Sequence, residues 1–302
     1  MVMISEQWAD ALDPVVRMAF MSAFTRRPRL APQLFNTQKS SNSDEELSGI
    51  GAIGIDAWDQ YELSGKAGRA DFDKAYKTTF VHKEFVLEIP IERKLYDDAK
   101  WSQIRNPFEA IADSAAQKRE NDAASVFNNS ESSSFVGGDA VALLSNSHPL
   151  SPAKSGSTQD NLLTLPLTKD NLATARKTMM AFTDDTGGLL GITPNLLLVP
   201  PELEDTAIEI TQSMHDPNSA NNAVNSQFGR FQVIAWHYLT DDNKWYLIDT
   251  TLMSRSLFWF DRAPLNITPK IEDKTLVATW IAYQRYSYGW IDWRWVIGSN
   301  PS

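Results

Sequence analysis

Apolar residues change their spacing several times along the chain, and each change marks a different element. Between residues 5 and 24, Trp8, Leu12, Val15, Val16, Ala19 and Phe20 recur at helical intervals, with Pro14 placed to kink or restart the helix. Arg26, Arg27 and Arg29 around Pro28 end that pattern, and the Ser- and Asn-rich stretch to Asp44 reads as extended or mobile. A helix on such a tether has little core of its own, so it is expected to pack on the rest of the chain or on a neighbour. Residues 47–96 read as a long two-stranded excursion. Ile50, Ile53, Ile55 and Trp58 begin it, and residues 64–72 (SGKAGRADF) form a polar tip. The return limb sets Phe85, Leu87, Ile89 and Ile91 on one face by alternation, and Pro90 suits an edge strand or a strand end.

The helical period returns with Phe108, Ile111, Ala115, Ala116, Ala123 and Val126. Asn106 is placed to cap this helix, Pro107 to occupy its first position and Glu109 to complete a capping-box-like arrangement. About twenty residues make a rod of roughly 30 Å, ended by Ser-rich 128–134 and Gly137-Gly138. Shorter elements follow: a helix over 168–182, a turn at 183–188, a strand at 195–199, and a helix after Pro200-Pro201. After the Asn-rich loop 216–227, strands are predicted near 231–239, 245–250, 257–260, 276–285 and 286–296. There is no internal repeat, and the order gives an α+β fold built from local hairpins rather than βαβ units.

Composition narrows the function. The net charge of −10, only slightly positive within residues 1–40, argues against clamping a phosphate backbone. Absence of cysteine removes disulfides and thiolate metal sites. The N-terminus has no secretory pattern and no run is long enough to span a bilayer, so a soluble, intracellular product is expected, with no membrane partner. Ten tryptophans, seven of them between Trp236 and Trp295, fit dense packing inside the chain and association between chains equally well.

Candidate chemistry is thin. Gly49-Ile50-Gly51-Ala52-Ile53-Gly54 is a literal GxGxxG, but Ser43-Asp44-Glu45-Glu46 precedes it where a dinucleotide site needs an apolar strand. His82, His148, His215 and His237 show no metal-ligand spacing; each is read as a loop or surface residue, with His148-Pro149 as a turn. The adjacent pairs Asp97/Asp98, Asp184/Asp185 and Asp241/Asp242 sit at polar turns and read as solvated residues; neighbours along a strand point apart, so such pairs also make poor acid/base partners. No catalytic residue, cofactor site or metal site is assigned. A carbohydrate-active enzyme with distant carboxylates and an aromatic surface is the rival from another class.

Five segments carry a resemblance. Asn146-Ser147-His148-Pro149 followed by Asp160-Asn161-Leu162-Leu163, Pro194–Glu204 (PNLLLVPPELE), Lys244–Asp249 (KWYLID) and Tyr286–Asp292 (YSYGWID) are similar to the major capsid proteins of tailed bacteriophages. Within that Hong Kong ninety-seven-like class they most resemble the Mu-type major head subunit family, although the tryptophan-rich C-terminal strand departs from it. The resemblance implies an N-terminal arm over 1–46, an extended E-loop over 47–96, and a peripheral domain over 97–140 with a spine helix. It further implies an axial domain over 141–255 and return strands of the peripheral domain over 256–302. It implies a non-enzymatic protein that self-assembles into hexamers and pentamers of an icosahedral virion capsid. Such a capsid would be built in the bacterial cytoplasm and enclose double-stranded DNA without sequence-specific contact. Portal, a separate scaffolding protein and decoration proteins would be its partners, and an encapsulin-like nanocompartment shell is the alternative. Trp58, Lys66, Arg69, Phe85, Leu87 and Ile89 of the excursion and Arg26, Arg27 and Arg29 of the arm are the expected contacts between subunits.

Overall fold

The computed structural model describes residues 7–26, 29–50, 74–151, 154–215, 224–272 and 277–301. Helix α1 (Gln7–Arg26) and the single turn α2 (Ala31–Leu34) lead into strand β1 (Asn36–Lys39). Strands β2 (Asp44–Ile50), β3 (Lys74–Val81) and β4 (Lys83–Glu92), the short α3 (Arg93–Asp97) and the long α4 (Trp101–Asn128) follow. Then come β5 (His148–Ser151), β6 (Lys154–Gln159), β7 (Leu162–Leu163), α5 (Lys169–Met180), β8 (Leu196–Val199) and α6 (Glu204–Gln212). The chain closes with β9 (Gln232–Ala235), β10 (Trp245–Ile248), α7 (Thr250–Ser256), β11 (Leu257–Glu272), β12 (Val277–Trp290) and β13 (Val296–Ser299).

Two sheets form. One runs β1-β11-β12-β4 and the other β7-β13-β10-β8-β9, while β2–β3 and β5–β6 make separate two-stranded ribbons. Helix α4 joins two cores. At 28 residues it is about 42 Å long. Its N-terminal half, through Ile104, Phe108, Ala112 and Ala116, packs against α1 and the four-stranded sheet. Its C-terminal half, through Ala123, Ala124, Val126 and Phe127, enters the core of the five-stranded sheet. The small alanines let sheet side chains approach the helix axis closely, and Phe108 meets Trp280 edge to face at 5.4 Å.

Several expectations change. The helix predicted from Pro107 begins at Trp101, so Asn106 is no cap and Pro107 lies inside the helix. Ile104, which is 2% exposed, extends the apolar stripe one turn towards the N-terminus and outweighs the hydrogen bond that proline removes. The stretch before Asp44 is not a free tether, since β1 pairs in parallel with β11 from Asn36↔Phe258 to Lys39↔Asp261. The excursion divides at His82. Only β2 and β3 form the ribbon, whereas β4 pairs antiparallel with β12 from Lys83↔Tyr286 to Glu92↔Val277. The two strands predicted over 276–296 are one strand to Trp290 followed by β13, which returns to the five-stranded sheet beside β10. The C-terminal return therefore serves both sheets.

The tryptophans are settled by burial. Trp236, Trp245, Trp259, Trp280, Trp290, Trp293 and Trp295 are all buried within the chain, each at 3% exposure or less. In that third of the chain they fill cores.

Candidate functional site

The motif segments holding His148, Asn161 and Asp292 meet in a buried polar cluster at one side of the five-stranded sheet. His148 opens β5 and Asn161 precedes β7, and both side chains are fully enclosed. Asn161 Nδ2 donates to the Leu143 carbonyl at 2.8 Å and the Val296 carbonyl at 3.2 Å. Its Oδ1 accepts from the Ser145 amide at 2.9 Å and faces His148 Nε2 at 3.1 Å. The other ring nitrogen lies 2.7 Å from Asp139 Oδ2, and the ring stacks on Trp293 with centroids 4.1 Å apart. One amide and one imidazole thus tie four separate segments together. His148 is an internal strut, not a surface turn, because its ring finds an aromatic face and two polar partners in the chain itself.

Arg294 completes the cluster. It donates to the carbonyls of Thr183 (3.0 Å) and Leu150 (2.7 Å) and to the carboxylates of Asp185 (2.8 Å) and Asp292 (3.0 Å). Burial disfavours its charge, yet Asp292 and Asp185 outweigh burial and hold its pKa above the ordinary guanidinium value. Burial pushes Asp185 upward despite Arg294. Of the adjacent pair read as solvated, only Asp184 behaves so: it accepts from the amides of Thr186 and Gly188, both at 2.8 Å, and closes its own turn. Asp185 is an internal counter-ion. The cluster carries no nucleophile beside a base; every polar group in it is spent on holding loops. Among the described residues no group of three or more His, Asp or Glu side chains is placed to hold a metal. No helix among them is long and apolar enough to cross a membrane.

The expected contact residues separate. Trp58, Lys66, Arg69 and Arg27 lie outside the described residues. Ile89 is 9% exposed and packs in its own core, and Phe85 is half-buried against Tyr286 at 4.7 Å with Lys118 above it. The premise that this face had nothing of its own to cover it fails for both, because α4 and β12 cover it. Leu87, at 49%, remains exposed on edge strand β4 beside Val86 at 56%. Arg26 reaches Glu109 on α4 at 3.5 Å. Arg29 donates to the Phe24 carbonyl and lies 3.7 Å from the Phe24 ring centroid; burial, and then neighbouring Arg119, lower its pKa. The sequence reading missed the outer stripe of α1, where Val15, Met18 and Met21 are 54%, 75% and 47% exposed. Their spacing of three was the available signal.

The long α4 bound to a four-stranded sheet, the paired ribbon and the second sheet define the Hong Kong ninety-seven-like capsid fold. Solved structures with this arrangement include a chain of Microbacterium phage Oxtober96, 11% identical, with a TM-score of 0.56 over 91% of this chain and 92% of that one. A chain of Mycobacterium phage Patience is 9% identical, with a TM-score of 0.58 over 100% and 89%. The capsid of bacteriophage JBD30, decorated with minor capsid protein trimers, is 14% identical, with 0.56 over 71% and 92%. No curated protein matches the chain. Residues 76–298 match the phage capsid protein family, and the chain belongs to it. It is a major capsid protein of the virion shell, and its role is structural rather than catalytic.

Proposed function

We propose that copies of this chain join as hexamers and pentamers of a closed icosahedral shell around double-stranded DNA. The observation that carries this reading is uncovered apolar surface, most clearly Val86 and Leu87 on a strand that is a sheet edge among the described residues, and Val15, Met18 and Met21 in one stripe of α1. A hollow of about 220 Å³ beside Leu87, walled by Ile111, Ala115 and Leu265, suits an apolar side chain of a neighbouring copy. An interface of about 1,000 Å² is worth roughly 25 kcal/mol gross at 25 cal/mol per Å². Association costs of about 4–15 kcal/mol reduce that sum. Modest net contacts repeated by symmetry give a cooperative shell.

In this reading α1 belongs to the arm, the β2–β3 ribbon with residues 51–73 is the E-loop, and α4 is the spine of the peripheral domain. The five-stranded sheet with the β5–β6 hairpin belongs to the axial domain. Trp58, Lys66, Arg69 and Leu87 contact a neighbouring copy, and Arg26, Arg27 and Arg29 flank that contact. The protein belongs to the Mu-type branch and assembles in the host cytoplasm with a portal and a separate scaffolding protein. DNA is enclosed rather than gripped, as the charge of −10 suits. The test is Val86→Glu with Leu87→Glu. Both positions are exposed, so the expected result is folded subunits that form no shells; shells of normal yield would refute the edge contact.

A further inference from the structure

His82 is the single residue between β3 and β4, where the chain passes from the ribbon to the four-stranded sheet. The other root of the ribbon begins at Ser40, just after β1. The buried His82 ring joins the two: Nε2 lies 3.0 Å from Ser40 Oγ, and Nδ1 lies 2.9 Å from Ser287 Oγ on β12. The donor pattern follows from the neighbours. Ser40 Oγ donates to Glu45 Oε1 at 2.6 Å and accepts the Asn42 amide at 3.2 Å, so its single proton is committed. Nε2 must then carry hydrogen and donate, and the neutral ring leaves Nδ1 to accept from the Ser287 hydroxyl.

We propose that His82 is an acid-sensitive clasp that fixes the angle at which the β2–β3 ribbon leaves the body of the subunit. Protonation places hydrogen on Nδ1 and reverses the bond: the ring now donates to Ser287 Oγ. The hydroxyl, on a residue 5% exposed, must turn its own hydrogen away from the ring into buried surroundings while the ring carries a buried charge. The charged groups facing the ring are Arg285 on β12, Arg262 on β11, and Glu45 and Asp44 on β2. Burial and then Arg285 hold the imidazole below its ordinary value of 6.5, with Arg262 adding to them and the two carboxylates opposing. The sign follows: the unfolded or released ring binds its proton more readily than the clasped ring. The clasp is complete above about pH 6.5 and loses stability as pH falls below it. Phe80, buried against Phe258 and Phe260, keeps the ribbon root on the sheet. Acid therefore widens the range of ribbon angles without detaching the strand.

The experiment exploits the cysteine-free chain. Ser48→Cys on the ribbon and Gln117→Cys on α4, both at exposed positions, are spin-labelled in the full chain diluted with unlabelled copies. Their separation is measured by pulsed dipolar spectroscopy from about pH 8 to about pH 5. The distance is intramolecular, so the result does not depend on shell formation. A narrow distribution at the alkaline end that broadens reversibly, with a midpoint below about pH 6.5, is expected. His82→Gln should abolish the response. Ser287→Ala, which removes the hydroxyl partner of Nδ1 in both protonation states, should displace the midpoint from that of the parent. Unchanged distributions in a folded chain, a response that survives in His82→Gln, or a midpoint unmoved by Ser287→Ala would overturn the proposal.

Discussion

Replacing Asn161 tests whether the buried polar cluster holds the fold. In Asn161→Ala the Ser145 amide and the Leu143 carbonyl each lose the side-chain partner that now satisfies them, at 2.9 and 2.8 Å. His148 keeps only Asp139 among its polar partners. A buried group left unpaired costs about 1–3 kcal/mol, so two of them cost roughly 2–6 kcal/mol. That is a large share of the ~5–15 kcal/mol that separates folded from unfolded domains. Asn161→Leu separates polarity from volume, since it fills the site but satisfies neither group and should lose at least about 2 kcal/mol as well. Urea unfolding of unassembled subunits, followed by tryptophan fluorescence, reads the shift in midpoint at constant slope. If Asn161→Leu unfolds within about 0.5 kcal/mol of the parent, the cluster is not what holds these segments, and the reasoning is refuted.

Other perturbations follow from packing and burial. A Cβ added at Gly298 on β13 would lie 2.2 Å from Leu144 Cδ1, so Gly298→Ala should cost about 1–3 kcal/mol, read as a lower thermal midpoint. Burial raises the pKa values of Tyr246, Tyr286 and Tyr288, with Asp122 adding to the effect at Tyr286. A raised phenol pKa supports the fold below the ordinary value near 10, and that support is lost as pH rises above it. Absorbance titration should therefore show these tyrosines ionising only together with unfolding; early, reversible ionisation of all the tyrosines would contradict their burial.

Much of the architecture was legible because strong periods coincide with burial. Leu12, Val16 and Phe20 announced α1, and the apolar run Leu196–Val199 announced β8, whose four residues are all buried. The motif segments were legible as sequence, but their meeting was not: His148 and Asn161 are thirteen positions apart, and no local rule says that one amide will bind both the ring and Val296. Boundaries failed where a local signal competed with tertiary packing. Pro107 looks like a helix start, yet Ile104 one turn earlier already belongs to the buried stripe. The break expected within 276–296 fails because β12 buries alternate side chains through Tyr286 without a turn residue before Gly289. His82 carried no signal at all, since a lone histidine between two strands looks the same whether or not the strands share a sheet. The face of Phe85 and Ile89 was read correctly as apolar, but its cover comes from α4 and β12 of the same chain.

Native mass spectrometry of the concentrated full-length chain at neutral pH tests the central claim, that copies of this chain cover one another's apolar surface. The account predicts complexes of five and six subunits of 33.9 kDa, together with closed shells built from them. A correctly folded chain that stays at the mass of one subunit at every concentration would contradict it.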